Sequence, residues 1–331
     1  MKILVAMPAG EVRDTFIPKE TAGMLEEMGT VEWNGSSGQF TEDELREKIK
    51  DADVCITGWG NLRFDSNILE NARNLKLIAH TGGTVAPIVS DCLYDRGIKV
   101  VSGNSIFAES VAESVIAYIL ASLRDIPYYN NEMQEGRWKP NNYYNEGLLD
   151  QTVGLVDFGA VARFVVGMLK PFRARIKVCS GYIGEETLAE YGMERATLEE
   201  IFTTCKIISI HSAKRPDTWH MVNAELLKMI PDGALLVNTA RGSIIDEAAL
   251  AEELQKGRFK AVLDVYETEP LPPESKLRKL KNVILIPHMG GPTIDRRKYV
   301  TLGLIEDIKR FSKGEKLKYE ISREHAAAMT R

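Results

Sequence analysis

Short runs of apolar residues alternate with longer amphipathic stretches along the whole chain, as in parallel sheets covered on both faces by helices. In the first third such runs fall at 2–7, 53–57, 75–79 and 98–101. A second series falls at 152–157, 176–180, 206–210, 234–238, 261–265 and 283–286. Helix starts punctuate the runs. Thr41-x-x-Glu44 and Thr197-x-x-Glu200 read as capping boxes, in which a hydroxyl and a carboxylate satisfy free backbone N–H groups. Asp246 is placed to cap a helix through Leu254. Between the two series, Ser105 to Leu123 reads as one long helix whose apolar positions (Ile106, Val111, Val115, Ile116, Ile119, Leu120) cover much of its circumference. A polar and aromatic segment from Tyr128 to Tyr144 follows it, and Thr301 to Phe311 reads as a last helix.

Composition narrows the class. A chain of 331 residues, 44% hydrophobic and 27% charged, suits two globular domains that each bury a core. The net charge of −5, with both signs interspersed, argues against a nucleic-acid partner, which needs a basic face. Cys55, Cys92, Cys179 and Cys205 are far apart and form no C-x-x-C pair, so neither a disulfide framework nor a metal site is expected, and a cytoplasmic setting is. The apolar run after Lys2 stops at Pro8, too short for a secretory signal, and reads as a first strand. No stretch of about 20 apolar residues is read, so no membrane span is expected.

Thr152 to Ala162 reads as a strand running into a helix, the setting of the dinucleotide fingerprint G-x-G-x-x-G/A. Gly159 and Ala162 meet its second and third positions, and Ala160 and Val161 lie between them. The first position is Asp157, where the fingerprint has glycine for a tight turn. A carboxylate there adds bulk and charge near a pyrophosphate. Two unit charges about 4 Å apart interact by about 4 kcal/mol at an effective dielectric near 20. The sequence therefore implies a weakened cofactor site that Asp157→Gly would tighten. About 20 residues on, the acidic residue that binds the ribose 2′-hydroxyl in NAD-selective sites is replaced by Ser180, with Tyr182 where an arginine for NADP would help. NAD or NADP stays open.

The C-terminal third holds three more motifs: Asn238-Thr239-Ala240-Arg241-Gly242, Asp264-Val265-Tyr266-Glu267-Thr268-Glu269-Pro270 and Pro287-His288-Met289-Gly290-Gly291. The order and spacing of Arg241, Glu269 and His288 (269−241 = 28, 288−241 = 47) resemble the catalytic Arg, Glu and His of the D-isomer-specific 2-hydroxyacid dehydrogenases, phosphoglycerate and glycerate dehydrogenases among them. The resemblance runs along most of the chain. It implies two doubly wound parallel-sheet α/β domains, a Rossmann-type cofactor domain (104–296) inserted into a flavodoxin-like substrate domain (1–103 and 297–331). It also implies a homodimer, and reversible hydride transfer between NAD(P)H and a small 2-oxo acid to give the D-2-hydroxy acid.

Within that resemblance each residue has a chemical reason. A guanidinium such as Arg241 matches a carboxylate with two parallel hydrogen bonds. An imidazole such as His288 exchanges a proton with a carbonyl oxygen near neutral pH, and Glu269 orients it. Asp264, Thr239, Ala240, Gly290 and Gly291 are implied around the nicotinamide. His80 precedes Thr81-Gly82-Gly83-Thr84, which resembles the family's substrate loop; Gly82 and Gly83 are the implied contacts and His80 a structural residue. Arg13 reads as a solvated loop charge, with a contact to a second anionic group as the alternative, and His220 and His325 read as surface residues. Rival readings are a nicotinamide-sensing binding protein, an inactive relative, or a dehydrogenase of the same fold for another substrate such as phosphonate.

Overall fold

The computed structural model describes residues 1–330. The strands are β1 (Lys2–Val5), β2 (Thr30–Trp33), β3 (Val54–Thr57), β4 (Leu77–His80), β5 (Lys99–Ser102), β6 (Thr152–Val156), β7 (Arg175–Cys179), β8 (Met193–Arg195), β9 (Ile207–Ile210), β10 (Leu235–Asn238), β11 (Lys260–Leu263) and β12 (Val283–Leu285). All pair in parallel, in two sheets ordered β2-β1-β3-β4-β5 and β12-β11-β10-β9-β6-β7-β8. The first is the flavodoxin-like order. The second is the Rossmann order with one strand added.

The chain divides into two compact units, Met1–Ser110 with the segment from Pro292 on, and Val111–Gly291. In each unit successive strand residues feed opposite cores. Leu4 packs with Leu45, Ile49 and Ile68, whereas Ile3 and Val5 pack with Phe16, Leu304 and Ile308. Likewise Leu236 and Ile208 face one side of the second sheet, and Leu235, Val237 and Ile207 the other. That period of two, apolar on both faces, is why the strands read as unbroken runs.

Both capping boxes form, and the Asp246 carboxylate accepts the Ala249 N–H at 2.9 Å. The long C-terminal helix, Arg297–Ser312, packs Val300, Leu304, Ile305 and Ile308 into the first unit, and a short helix, Arg323–Ala328, follows it. Between the two the chain runs back beside β5, where Ile321 donates to the Val100 carbonyl and Glu320 bridges Val101 antiparallel. This covers an edge that would otherwise stand open.

Two strands escaped the sequence pattern. β2 reads Thr-Val-Glu-Trp at a sheet edge with only its alternate residues half-buried, and β8 is three residues with one buried. Neither makes an apolar run. The helix Asn104–Leu123 departs in the other direction: it is long and apolar enough, by length and composition, to cross a membrane. Its Ala112, Val115, Ile119 and Leu123 are nevertheless packed in the second unit's own core.

His80 ends β4 and is 3% exposed, with Nδ1 2.9 Å from the Thr57 hydroxyl. Burial pushes its pKa down from 6.5 to about 4. Between those values the unfolded chain binds a proton that the folded chain refuses. The stability is complete above pH 6.5, falls as the pH drops towards 4, and the full loss is about 3 kcal/mol. Urea unfolding of the wild type at pH 7 and pH 5 is expected to differ by about 2 kcal/mol from this group. His80→Gln removes that part of the pH dependence; an unchanged difference in the variant would refute the assignment.

Candidate active site

The loops after β10, β11 and β12 carry the three residues, at the strand ends where open α/β sheets present ligand-binding groups. Asn238, 1% exposed, accepts the Ala240 N–H and donates to the Arg241 carbonyl, both at 3.0 Å. This small ring fixes the Arg241 backbone. A Cβ on Gly242 would lie 1.9 Å from the Tyr266 carbonyl carbon, so only glycine lets the β10 loop rest on the backbone of the β11 loop. The Arg241 guanidinium donates to the Ala240 carbonyl and makes no other side-chain hydrogen bond among the described residues. Burial lowers its pKa and the nearby Glu269 carboxylate opposes that shift. A half-desolvated guanidinium with free donors is prepared to take an anion.

His288 follows β12 with a φ of 52°, and its Nδ1 lies 2.6 Å from Glu269 Oε2. The other Glu269 oxygen accepts the Tyr266 N–H at 3.0 Å, so the carboxylate is itself held in place. A carboxylate only accepts, so Nδ1 carries the proton. Nε2 is then the ring nitrogen free to exchange one. The two side chains are 50% and 36% exposed, open enough to meet a substrate.

Asp264 is 2% exposed, and its carboxylate accepts the N–H groups of Met289 at 2.7 Å and Gly290 at 2.8 Å. Burial raises its pKa and these two bonds counter it. The sequence reading set Asp264 against the nicotinamide; in the structure both its oxygens hold the His288 loop. Ser114 adds a bond to the Gly290 carbonyl, and Gly291 is half-buried beside it. Tyr266 escaped the sequence reading altogether. Its hydroxyl reaches the Leu263 and Ile286 carbonyls and accepts the Ile286 N–H, joining the ends of β11 and β12, and burial pushes its pKa up to about 12. One polar atom on an otherwise buried aromatic was the available signal.

The segment read as the cofactor site runs from β6 directly into a helix. The helix Ala160–Leu169 starts at Gly159 with no side-chain cap, so its first-turn N–H groups, Val161 among them, stay available to an anion. Space for a Cβ at Gly159 is open, and Ala162 is fully buried against the sheet. The Thr239 hydroxyl and His211 Nε2, just beyond β10 and β9, are enclosed without a partner. His211 keeps part of its surface open, yet the burial of its ring pushes the pKa down to about 4. Orphaned donors and acceptors at these strand ends, with a bare helix start, fit a dinucleotide. Asp157 adopts a φ of 73°, the backbone for which glycine is the usual choice. Its Oδ1 accepts the Phe158 N–H at 2.8 Å and the Ser180 hydroxyl at 2.9 Å.

In the first unit, Gly82 is buried and Gly83 half-buried, and the Ser102 hydroxyl donates to the Gly83 carbonyl at 3.0 Å. A Cβ on Gly82 would meet the His80 ring at 2.3 Å. Arg13 is not the free charge expected: it donates to the Asn34 carbonyl at 2.7 Å and lies over Trp33. His220 is likewise no isolated surface group. Its Nε2 lies 2.7 Å from Glu267, and with Asp246 these three bring potential metal-ligand atoms within 4.8 Å of one another, a grouping the sequence did not suggest. Its members already serve the protein, Glu267 accepting the Glu247 N–H and Asp246 capping a helix.

Residues 116–290 match the model of the D-isomer specific 2-hydroxyacid dehydrogenase NAD-binding domain. The chain is 34% identical to the D-3-phosphoglycerate dehydrogenase of Methanocaldococcus jannaschii over 95% of its own length, and spans 58% of that relative. It is 32% identical to the hydroxypyruvate reductase of Thermotoga maritima, over 88% of this chain and 94% of that one. A solved structure from Thermus thermophilus superposes with a TM-score of 0.78 at 26% identity, covering 97% of this chain and all of the other. With the arginine, glutamate and histidine on adjacent strand ends and a glycine-containing strand-to-helix turn in the same sheet, the chain belongs to the D-isomer-specific 2-hydroxyacid dehydrogenase family.

Proposed function

We propose that the chain reduces a small 2-oxo acid to its D-2-hydroxy acid, reversibly, with NAD(P)H. The observation that carries this reading is the 2.6 Å contact between His288 Nδ1 and Glu269, which leaves Nε2 as the single exchangeable ring position. Arg241 is the group that grips the substrate carboxylate, its donors uncommitted apart from the Ala240 carbonyl. The N–H groups of Gly82 and Gly83 are further substrate contacts. The nicotinamide, when bound, supplies or accepts the hydride. Thr239 and Ala240 would line the nicotinamide and the amides of the Gly159 helix start would hold the pyrophosphate, with Asp264 acting through the Met289–Gly290 backbone.

During reduction His288 Nε2 delivers a proton to the developing alkoxide, and in oxidation it takes one back. Glu269 keeps the ring from rotating and offers its negative charge to the imidazolium. A sensor without turnover would have no use for this pair, so catalysis is the favoured reading.

A second copy of this chain is the proposed partner. Tyr128, Met133, Trp138, Tyr144 and Leu149 are exposed along one stretch that includes the helix Ile126–Gln134, an apolar surface of the kind that marks association. The four free cysteines support a reducing, cytoplasmic setting.

NADH and NADPH oxidation with glyoxylate, hydroxypyruvate, pyruvate and larger 2-oxo acids tests the reaction. His288→Ala is expected to lower kcat by about 10²–10⁴-fold, the usual worth of a positioned general acid. Arg241→Lys should mainly raise KM, by about 10- to 100-fold, because a point charge replaces a two-pronged donor. Turnover by His288→Ala at the wild-type rate would exclude the assigned role. For the assembly, light scattering is expected to return twice the chain mass; a monomer at micromolar concentration would exclude the dimer.

A further inference from the structure

The two departures from the dinucleotide motif meet in space. β6 and β7 are neighbours with Val156 paired to Cys179, so the residues that follow, Asp157 and Ser180, leave the sheet side by side. The Ser180 hydroxyl donates to Asp157 Oδ1 at 2.9 Å, and the Phe158 N–H donates to the same oxygen at 2.8 Å. A carboxylate therefore lies one hydrogen bond from the side chain at the end of β7. An acidic residue at position 180 would have put its charge in this neighbourhood. Asp157 Oδ2 lies 4.0 Å from the Arg215 guanidinium, which is also paired with Asp217 at 3.1 and 3.2 Å and lies 5.6 Å over the Tyr182 ring. The side chains of Asp157 and Arg215 are only 19% and 21% exposed.

We propose that Asp157 is the residue that selects the cofactor: its carboxylate, supplied from the β6 turn and steadied by Ser180, accepts the adenosine ribose hydroxyls and excludes a 2′-phosphate. This rests on reading residues 152–162 as the dinucleotide site. The motif has exchanged its parts, the acid moving from the end of β7 to the end of β6. A 2′-phosphate brings up to two negative charges, and Asp157 opposes them directly. It acts indirectly as well. Arg215 stands 4.0 Å from the carboxylate, and a free guanidinium there would welcome a phosphate. With Asp157 and Asp217 on either side its charge is already matched. The chain should prefer NADH to NADPH although position 180 carries no acid.

Direct binding of NADH and NADPH, followed by nicotinamide fluorescence or calorimetry without substrate, tests this independently of turnover. The wild type is expected to bind NADH at least about 100-fold more tightly, a cost typical of an uncompensated like-charge contact. Asp157→Asn keeps the size, an acceptor for Phe158 and Ser180, and tolerance of the left-handed backbone. It should weaken NADH, tighten NADPH and cut the ratio at least tenfold; adding Arg215→Gln should cancel the NADPH gain. Equal binding of both cofactors by the wild type overturns the proposal. So does an Asp157→Asn variant that tightens both alike, which would locate the charge against the pyrophosphate. Failure of the wild type to bind either cofactor would instead defeat the underlying reading of the dinucleotide site, and this proposal with it.

Discussion

A buried carboxylate governs the chemistry end of the second unit. Asp264 stands just past β11, 2% exposed, and a charge there is tolerated only because two backbone N–H groups point at it. Those donors belong to Met289 and Gly290, the residues directly after His288. The pairing therefore fixes the path of the His288 loop, including its φ of 52°. Gly290 has to be glycine for the approach to occur, since a Cβ would meet Asp264 Oδ2 at 2.7 Å. Once that loop is set, Glu269 reaches His288 Nδ1 across a β11 loop that Gly242 has drawn against the Arg241 turn. Remove Asp264, and Arg241, Glu269 and His288 lose their common frame.

This separates groups left free for chemistry from groups that hold them in place. Arg241, Glu269 and His288 keep donors, acceptors or exposed surface free. Asn238, Asp264 and Tyr266 have spent theirs on backbone. Within the frame, the pKa values of Asp264 and Tyr266 are raised by burial, with backbone hydrogen bonds opposing it. Perturbation alone would not separate the two groups, because burial shifts Arg241 as well as Asp264 and Tyr266.

The sequence carried much of this because parallel strands buried on both faces leave an unbroken apolar signature, and because the chemistry sits just after such strands. β9 and β10 were legible for that reason. β2 and β8 were not, since an edge strand half open to water has no need of apolar residues at each position. Arg241, Glu269 and His288 were legible as types at a spacing. The role of Asp264 was not, because nothing in its local sequence states that its oxygens face the amides 25 residues later. His220 and Arg13 were misread for the same reason: partners 47 and 21 residues away are invisible to local pattern.

Asp157 and Ser180 show how two local anomalies become one constraint. Taken separately, a glycine lost from a tight turn looks like damage and a lost acid looks like changed specificity. Side by side they explain each other. With Asp157 in the turn, an acid at position 180 would set two carboxylates within contact of one another, and one would have to take up a proton or move away. A hydroxyl there has the opposite effect, donating to the carboxylate and fixing its direction at 2.9 Å. Asp157 in turn tolerates a φ of 73° because its short side chain can bond to the next backbone N–H, as it does to Phe158. Each replacement is sterically and electrostatically admissible because the other is present. A motif scored position by position counts two defects where the folded chain has a single carboxylate reached from the neighbouring strand.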